Sequence, residues 1–186
     1  DGILMVDAGT IFSEDIIAAK ERLSALKDVN TYRLEEPFVN GALYPYKSLS
    51  CSSPAVPLAG GEGCSNFVQE QAMIAYGGLS YIQIDAGRIG GITVAKRVAD
   101  LAQFSNVTYV NHTFNSHLAL SASLQSFAGI EKDLICEYPV ELKSLAQEIG
   151  NEKILRGHDG HINLPDRPGL GITVDIAALK KYLVDV

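Results

Sequence analysis

Six side chains capable of acid–base or metal chemistry stand at or just past the ends of short apolar runs: Asp7, Glu35, Glu62, Asp85, His112 and Glu137. They are separated by 28, 27, 23, 27 and 25 residues, about the length of chain that a β-strand and its returning helix consume. Asp7, Glu35 and Glu62 come from three successive units and offer the hard oxygen ligands that a magnesium ion prefers, with positions left for water and substrate oxygens. Asp85 and His112 end the next two units. A carboxylate that accepts the imidazole hydrogen bond fixes the tautomer and raises the basicity, which makes a general base. Combined, the set points to abstraction of a proton α to a carboxylate, with a metal stabilising the ene-diolate. Each residue also has a plainer reading when taken singly, because an acidic residue after a strand often caps the following helix. An isolated histidine is as readily structural as catalytic. Glu36 reads as a neighbour of Glu35 that points elsewhere, and His117, His158 and His161 read as helix or surface residues without zinc-ligand spacing.

The elements that must position these groups follow from the hydrophobic pattern. The runs ILMV (3–6), TYRL (31–34), AVPLA (55–59), YIQI (81–84) and VTYV (107–110), with a sixth in LICEYP, have the length and composition of buried strands. Helical patterns follow several of them: one after Ser13 as N-cap with Glu14 and Asp15 in its first turn, one around 66–76, one over 92–104 with Val94, Val98, Leu101 and Ala102 on one face, and one in LALSASLQSF. Successive parallel strands carry their last residues to one end of a sheet. That convergence favours a TIM-like barrel over an open doubly wound sheet. The glycines at 60–63 and 87–91 lack dinucleotide-binding spacing. The expectation is an α/β fold: a partial TIM-like barrel of six βα-type units over residues 1–139, and a tail over 140–186 that packs outside it. Six strands do not close an eight-stranded barrel, so two would come from missing chain, from a partner or from a different architecture. In the tail, VELKSLAQEIG is polar and irregular, ILRGHDGHINL suggests a hairpin about Asp159-Gly160, and DIAALKKYLV suggests a short terminal helix.

Composition narrows the partners. The chain has 186 residues, 47% of them hydrophobic and 20% charged, enough for a sizeable core. A net charge of −7 without a lysine or arginine run argues against nucleic acid. No apolar stretch approaches the roughly 18 residues of a membrane span, and the first residues carry no basic-then-apolar signal, so a cytoplasmic protein is expected. Three cysteines, Cys51, Cys64 and Cys136, fit reduced thiols in that compartment. The chain opens directly on an apolar strand, without an initiator methionine.

The motifs VDAG (6–9), LEEP (34–37), GGEG (60–63), QIDAGRIGGIT (83–93), NHTF (111–114), CEYP (136–139) and LPDRPGLGI (164–172), in that order across essentially the whole chain, resemble the enolase superfamily. The resemblance is to its mandelate racemase/muconate lactonizing enzyme-like subgroup, from the third barrel strand to the C-terminus. It implies a (β/α)7β barrel whose first two strands and N-terminal α+β capping domain lie outside this sequence, with residues 140–186 packing on the barrel and on that cap. It also implies Asp7, Glu35 and Glu62 as Mg2+ ligands, His112 and Asp85 as a catalytic dyad, and Glu137 as the acid that meets the substrate carboxylate or its ene-diolate. The implied activity is a Mg2+-dependent dehydratase (a hydro-lyase) of a sugar acid, an aldonate or aldarate, working as a homo-oligomer. A racemase or epimerase of a hydroxy acid stays open, as does a non-catalytic barrel fragment that serves as an assembly partner. Two departures bear on that choice: the strand that carries a lysine base in the family is missing, and Gly9 stands where some relatives have a polar side chain.

Overall fold

The computed structural model describes residues 2–52, 55–113, 116–132, 134–140 and 143–184; Phe114 of the NHTF motif lies outside the described residues. Five strands, β1 (Met5–Asp7), β2 (Arg33–Glu35), β3 (Leu58–Gly60), β4 (Tyr81–Ile84) and β5 (Thr108–Asn111), pair in parallel in chain order. Helices α1 (Ile16–Asp28), α2 (Leu43–Ser52), α3 (Phe67–Tyr76) and α4 (Ile92–Phe104) connect them, and α5 (His117–Leu124), α6 (Ser144–Glu148) and α7 (Ile176–Lys180) follow β5. A doubly wound sheet reverses its strand order at a switch point. The unbroken progression here is that of a partial (β/α) barrel.

The sixth apolar run does not become a strand among the described residues; it contributes one parallel bridge, Ile135 with Val110. The reason lies one step further along. The Asn111 side chain takes the backbone of Glu137, accepting from its N–H at 3.0 Å and donating to its carbonyl at 3.1 Å. A side-chain amide thus stands where ladder hydrogen bonds would continue.

Parallel register fixes which residues share a face. Asp7 pairs with Glu35, and Gln83 with Val110, and alternation then assigns Arg33, Glu35, Gln83, Val110 and His112 to the inner face. The outer face, Leu34, Leu58, Ile82, Ile84 and Tyr109, is buried under the helices together with Leu23, Tyr46, Leu49, Met73, Val98 and Ala102. Burial of each such Leu or Ile contributes about 1.5–3 kcal/mol. Both faces of the central strands are therefore buried, as parallel sheets require.

Local chemistry departs from expectation in three places. The N-cap of α1 is Asp15, not Ser13: its carboxylate accepts from the N–H groups of Ile17 and Ala18 at 3.0 Å, while Ser13 has a left-handed φ of 51°. Helix α2 is present although no helix is expected there. Its Pro45 sits in the first turn, where a missing N–H costs nothing, and Tyr46 anchors it by donating to the Phe38 carbonyl at 3.0 Å. The segment VELKSLAQEIG, expected to be irregular, contains the one-turn helix α6. The hairpin about Asp159-Gly160 is present, closed by an antiparallel bridge from Arg156 to Ile162. The tail packs on α5 through a second apolar cluster of Leu120, Leu124 and Ile154. No helix among the described residues is long and apolar enough to cross a membrane, and the three cysteines are unpaired.

Glu70, in the first turn of α3, is 0% exposed and lies against the Cys64 thiol. Burial pushes its pKa from 4.5 up to about 9. Between those values the fold keeps a proton that the unfolded chain releases, so stability falls as pH rises, by at most about 1.4 kcal/mol per pH unit. The neutral variant Glu70→Gln is expected to raise the thermal midpoint, and by more at pH 8.5 than at pH 6. Equal midpoint shifts at the two pH values would contradict a protonated Glu70.

Candidate active site

The C-terminal ends of the strands form one polar edge. Asp7 and Glu35 are the last residues of β1 and β2, Asp85 and His112 lie one past β4 and β5, and Glu62 lies two past β3. A glycine makes the last placement: Gly61 has φ +122°, and a Cβ there would meet the Gln83 carbonyl at 2.9 Å. The turn that returns Glu62 to the edge therefore requires glycine. Glu137 reaches the same edge, its carboxylate accepting from Gln83 Nε2 at 3.5 Å.

His112 is 3% exposed and held from both sides. Its Nδ1 lies 2.9 Å from Asp85 Oδ2, and its Nε2 lies 2.9 Å from Glu62 Oε2. Asp85 is oriented in turn by the backbone N–H groups of Gly87 and Arg88, which donate to its Oδ1 at 2.8 and 3.1 Å. Burial opposes a charge on the imidazole, but the hydrogen bonds to Asp85 and Glu62 and the charge of Glu137 prevail and push its pKa up to about 10. In this arrangement His112 is an imidazolium, an acid with both nitrogens engaged. Burial likewise opposes ionisation of Glu62 and Asp85, yet both are held below the usual carboxylate range. For Glu62 the causes are His112 and Arg88, whose Nη1 donates to Oε1 at 2.9 Å; for Asp85 they are His112 and the two backbone donors.

The remaining acids are pushed the other way. Burial raises the pKa of Glu35, with the Arg33 guanidinium opposing it and the charges of Asp7 and Glu62 adding to it. Burial, then the charges of Glu62, Asp7 and Glu35, push Glu36 up to about 7. Burial also raises Glu137 to about 7, with Glu35 and Glu62 adding to the shift and His112 opposing it. Glu36 is buried at φ 41°, and its Oε1 has no hydrogen-bond partner among the described residues. Mutually repelling carboxylates with an orphaned oxygen are a donor set suited to a hard divalent cation. As the side chains stand, however, no three His, Cys, Asp or Glu groups among the described residues converge to hold a metal. Asp7 accepts from the Gly9 N–H at 2.8 Å, and Glu62 is engaged by His112 and Arg88.

Three neighbours of the expected residues were missed by sequence reasoning. Arg33 and Gln83 precede Glu35 and Asp85 by two and share their face; an arginine inside TYRLE, a run otherwise suited to a buried strand, is the signal for the first. Arg88 lies on the loop after β4 and bridges Glu62 and Asp85. His117 is the buried first residue of α5, its Nδ1 accepting from the Ile154 N–H at 3.2 Å, and it stands apart from this edge's hydrogen bonds.

The family described as "Enolase C-terminal domain-like" matches residues 1–178. The chain belongs to this family. It is an enolase-superfamily barrel domain of the mandelate racemase/muconate lactonizing enzyme type. A solved structure described as a predicted mandelate racemase from Rhodobacter sphaeroides is 52% identical with a TM-score of 0.92, covering 100% of this chain and 48% of that one. The D-xylonate dehydratase of Haloferax volcanii is 28% identical over 168 residues, covering 90% of this chain and 40% of its own length. The L-talarate dehydratase of Polaromonas sp. JS666, solved in complex with Mg and L-glucarate, is 25% identical with a TM-score of 0.81, covering 96% of this chain and 46% of that one. The enolase-type domain described here thus spans about half the length of these relatives.

The paired hydrogen bonds on His112 carry a spectroscopic consequence. Replacing Asp85 with Asn removes the anion at Nδ1, and the apparent pKa of His112, followed by NMR of the imidazole, is expected to fall from about 10 by about 1–2 units. An unchanged titration would show that Asp85 does not hold the proton.

Proposed function

We propose that the chain is the barrel portion of a Mg2+-dependent dehydratase acting on a sugar acid, an aldonate or aldarate. The observation that carries this reading is His112 clamped by Asp85 and Glu62 on the same sheet edge as Asp7, Glu35 and Glu137. Asp7, Glu35 and Glu62 would hold the magnesium ion. Their hard oxygens, and the charges of Asp7 and Glu62 that raise Glu35, support that assignment. When bound, the ion supplies Lewis-acid stabilisation of the negative charge that develops on the substrate carboxylate.

The chain's own residues supply the proton chemistry. Asp85 holds the Nδ1 proton, so proton exchange with substrate is confined to Nε2 of His112. Taking or giving a proton there requires the Glu62 carboxylate to leave that atom, and the imidazolium that proton abstraction forms is then the acid at hand. A departing hydroxide needs such an acid, as does the return of a proton to the α-carbon. Glu137, with its pKa near 7, stands where it would donate to or accept from the substrate carboxylate. The two dehydratases among the relatives support the same reaction class.

A second reading, racemisation or epimerisation of a hydroxy acid, draws on the description of the 52% identical relative. The two reactions share the proton abstraction and differ in whether hydroxide then leaves or a proton returns. The full-length protein with Mg2+ and a panel of sugar acids in deuterated water, monitored by NMR, separates them. A new 2-keto-3-deoxy acid is expected; deuterium at the α-carbon with no loss of water would transfer the assignment to racemase or epimerase. The His112→Asn variant is expected to lose activity by about 100-fold or more while keeping its fold, and full activity in that variant would remove His112 from the chemistry.

A further inference from the structure

Gln83 has no part in the proton chemistry of His112, yet it sits at the centre of the inner face and is 0% exposed. Its Nε2 donates to Glu35 Oε1 at 2.8 Å and reaches Glu137 Oε2 at 3.5 Å, which occupies both of the amide's N–H groups. Its Oε1 is buried and has no hydrogen-bond partner among the described residues. A buried carbonyl left in that state costs about 1–3 kcal/mol. For packing alone, an apolar side chain of the same size would serve better between the strands. What the amide contributes is its pair of donors, and both are spent on acids of the candidate site. The other oxygen of Glu35 accepts from Arg33 Nη2 at 3.2 Å. Glu35 is therefore gripped at both oxygens, with a lone pair left on each.

We propose that Gln83 is a positioning residue that fixes the rotamer of Glu35 for a divalent cation and spans from it to Glu137. The inference rests on the metal reading proposed above. Gln83 sits behind its acid as the outer hydrogen-bond partners of metal ligands do, and loss of such partners typically weakens metal binding by about 10- to 100-fold.

The test uses the full-length protein and Mn2+ alone, titrated with free Mn2+ monitored by electron paramagnetic resonance. Gln83→Leu removes the donors and the orphaned carbonyl at nearly constant volume, and Gln83→Met does the same with a more adaptable side chain should the branched one fit poorly. Each variant is expected to bind Mn2+ about 10- to 100-fold more weakly, while Ile82→Val, a packing defect at a fully buried residue of the outer face, is expected to lower the thermal midpoint and leave the affinity within twofold of the parent. Affinities within twofold of the parent in both variants would overturn the proposal and leave the metal reading standing. A comparable loss of affinity in Ile82→Val would overturn it too, since a packing defect then accounts for the loss. A folded parent that takes up no Mn2+ would overturn the metal reading, and this inference with it.

Discussion

Register between parallel strands is the constraint on which the rest of the site depends. Pairing of Asp7 with Glu35 puts two carboxylates at the same level of neighbouring strands, and the turn at Gly61 brings Glu62 to the same edge. Like charges gathered there repel, and the charges of Asp7 and Glu62 add to the upward push of burial on the Glu35 pKa. A one-residue slip of the sheet would separate them, but it would send every inner side chain to the helix-facing side. The outer residues Leu34, Leu58, Ile82 and Ile84, all at most 1% exposed, forbid it. Hydrophobic burial on one face thus enforces electrostatic crowding on the other.

The chain compensates that crowding unevenly. Arg33 serves Glu35 from beneath, Arg88 serves Glu62 and Asp85 from the loop above β4, and His112 is shared by Glu62 and Asp85. Glu62 and Asp85, which have those partners, are held ionised; Glu36 and Glu137 drift to about 7. Glu62 is the pivot of this balance, because one carboxylate is offered both to His112 Nε2 and to the cation proposed for the edge. A divalent ion would draw Glu62 from the imidazole and free the atom through which protons move. Metal binding and proton chemistry would then be joined at a single side chain.

The sequence makes the gathering of these residues on one sheet edge more legible than the contacts among them. YIQI is β4 from first residue to last, and the five strand ends succeed one another as their spacing requires. Other strand limits move by one to three residues for local reasons. AVPLA contains Pro57, which has no N–H for the ladder, so β3 begins only at Leu58. Helix α2 stays hidden because Pro45 reads as a breaker unless its place in the first turn is known. The sixth strand is lost to a side-chain amide, Asn111, which no hydropathy pattern displays. Gln83 and Arg33 become visible only once strand parity is known, since each is an ordinary polar residue until it is seen to share a buried face with an acid. The engagement of Glu62 by His112 has no sequence signature, for it depends on the side-chain conformation of two residues fifty positions apart.

The most direct test of the cation site is a crystal of the full-length protein soaked in Mn2+, with the ion located by its anomalous scattering. The predicted result is a peak bonded to carboxylate oxygens of Asp7, Glu35 and Glu62 at about 2.0–2.3 Å, with Glu62 turned away from His112 Nε2. A peak elsewhere, or none at this edge while Glu62 still holds the imidazole, would contradict it.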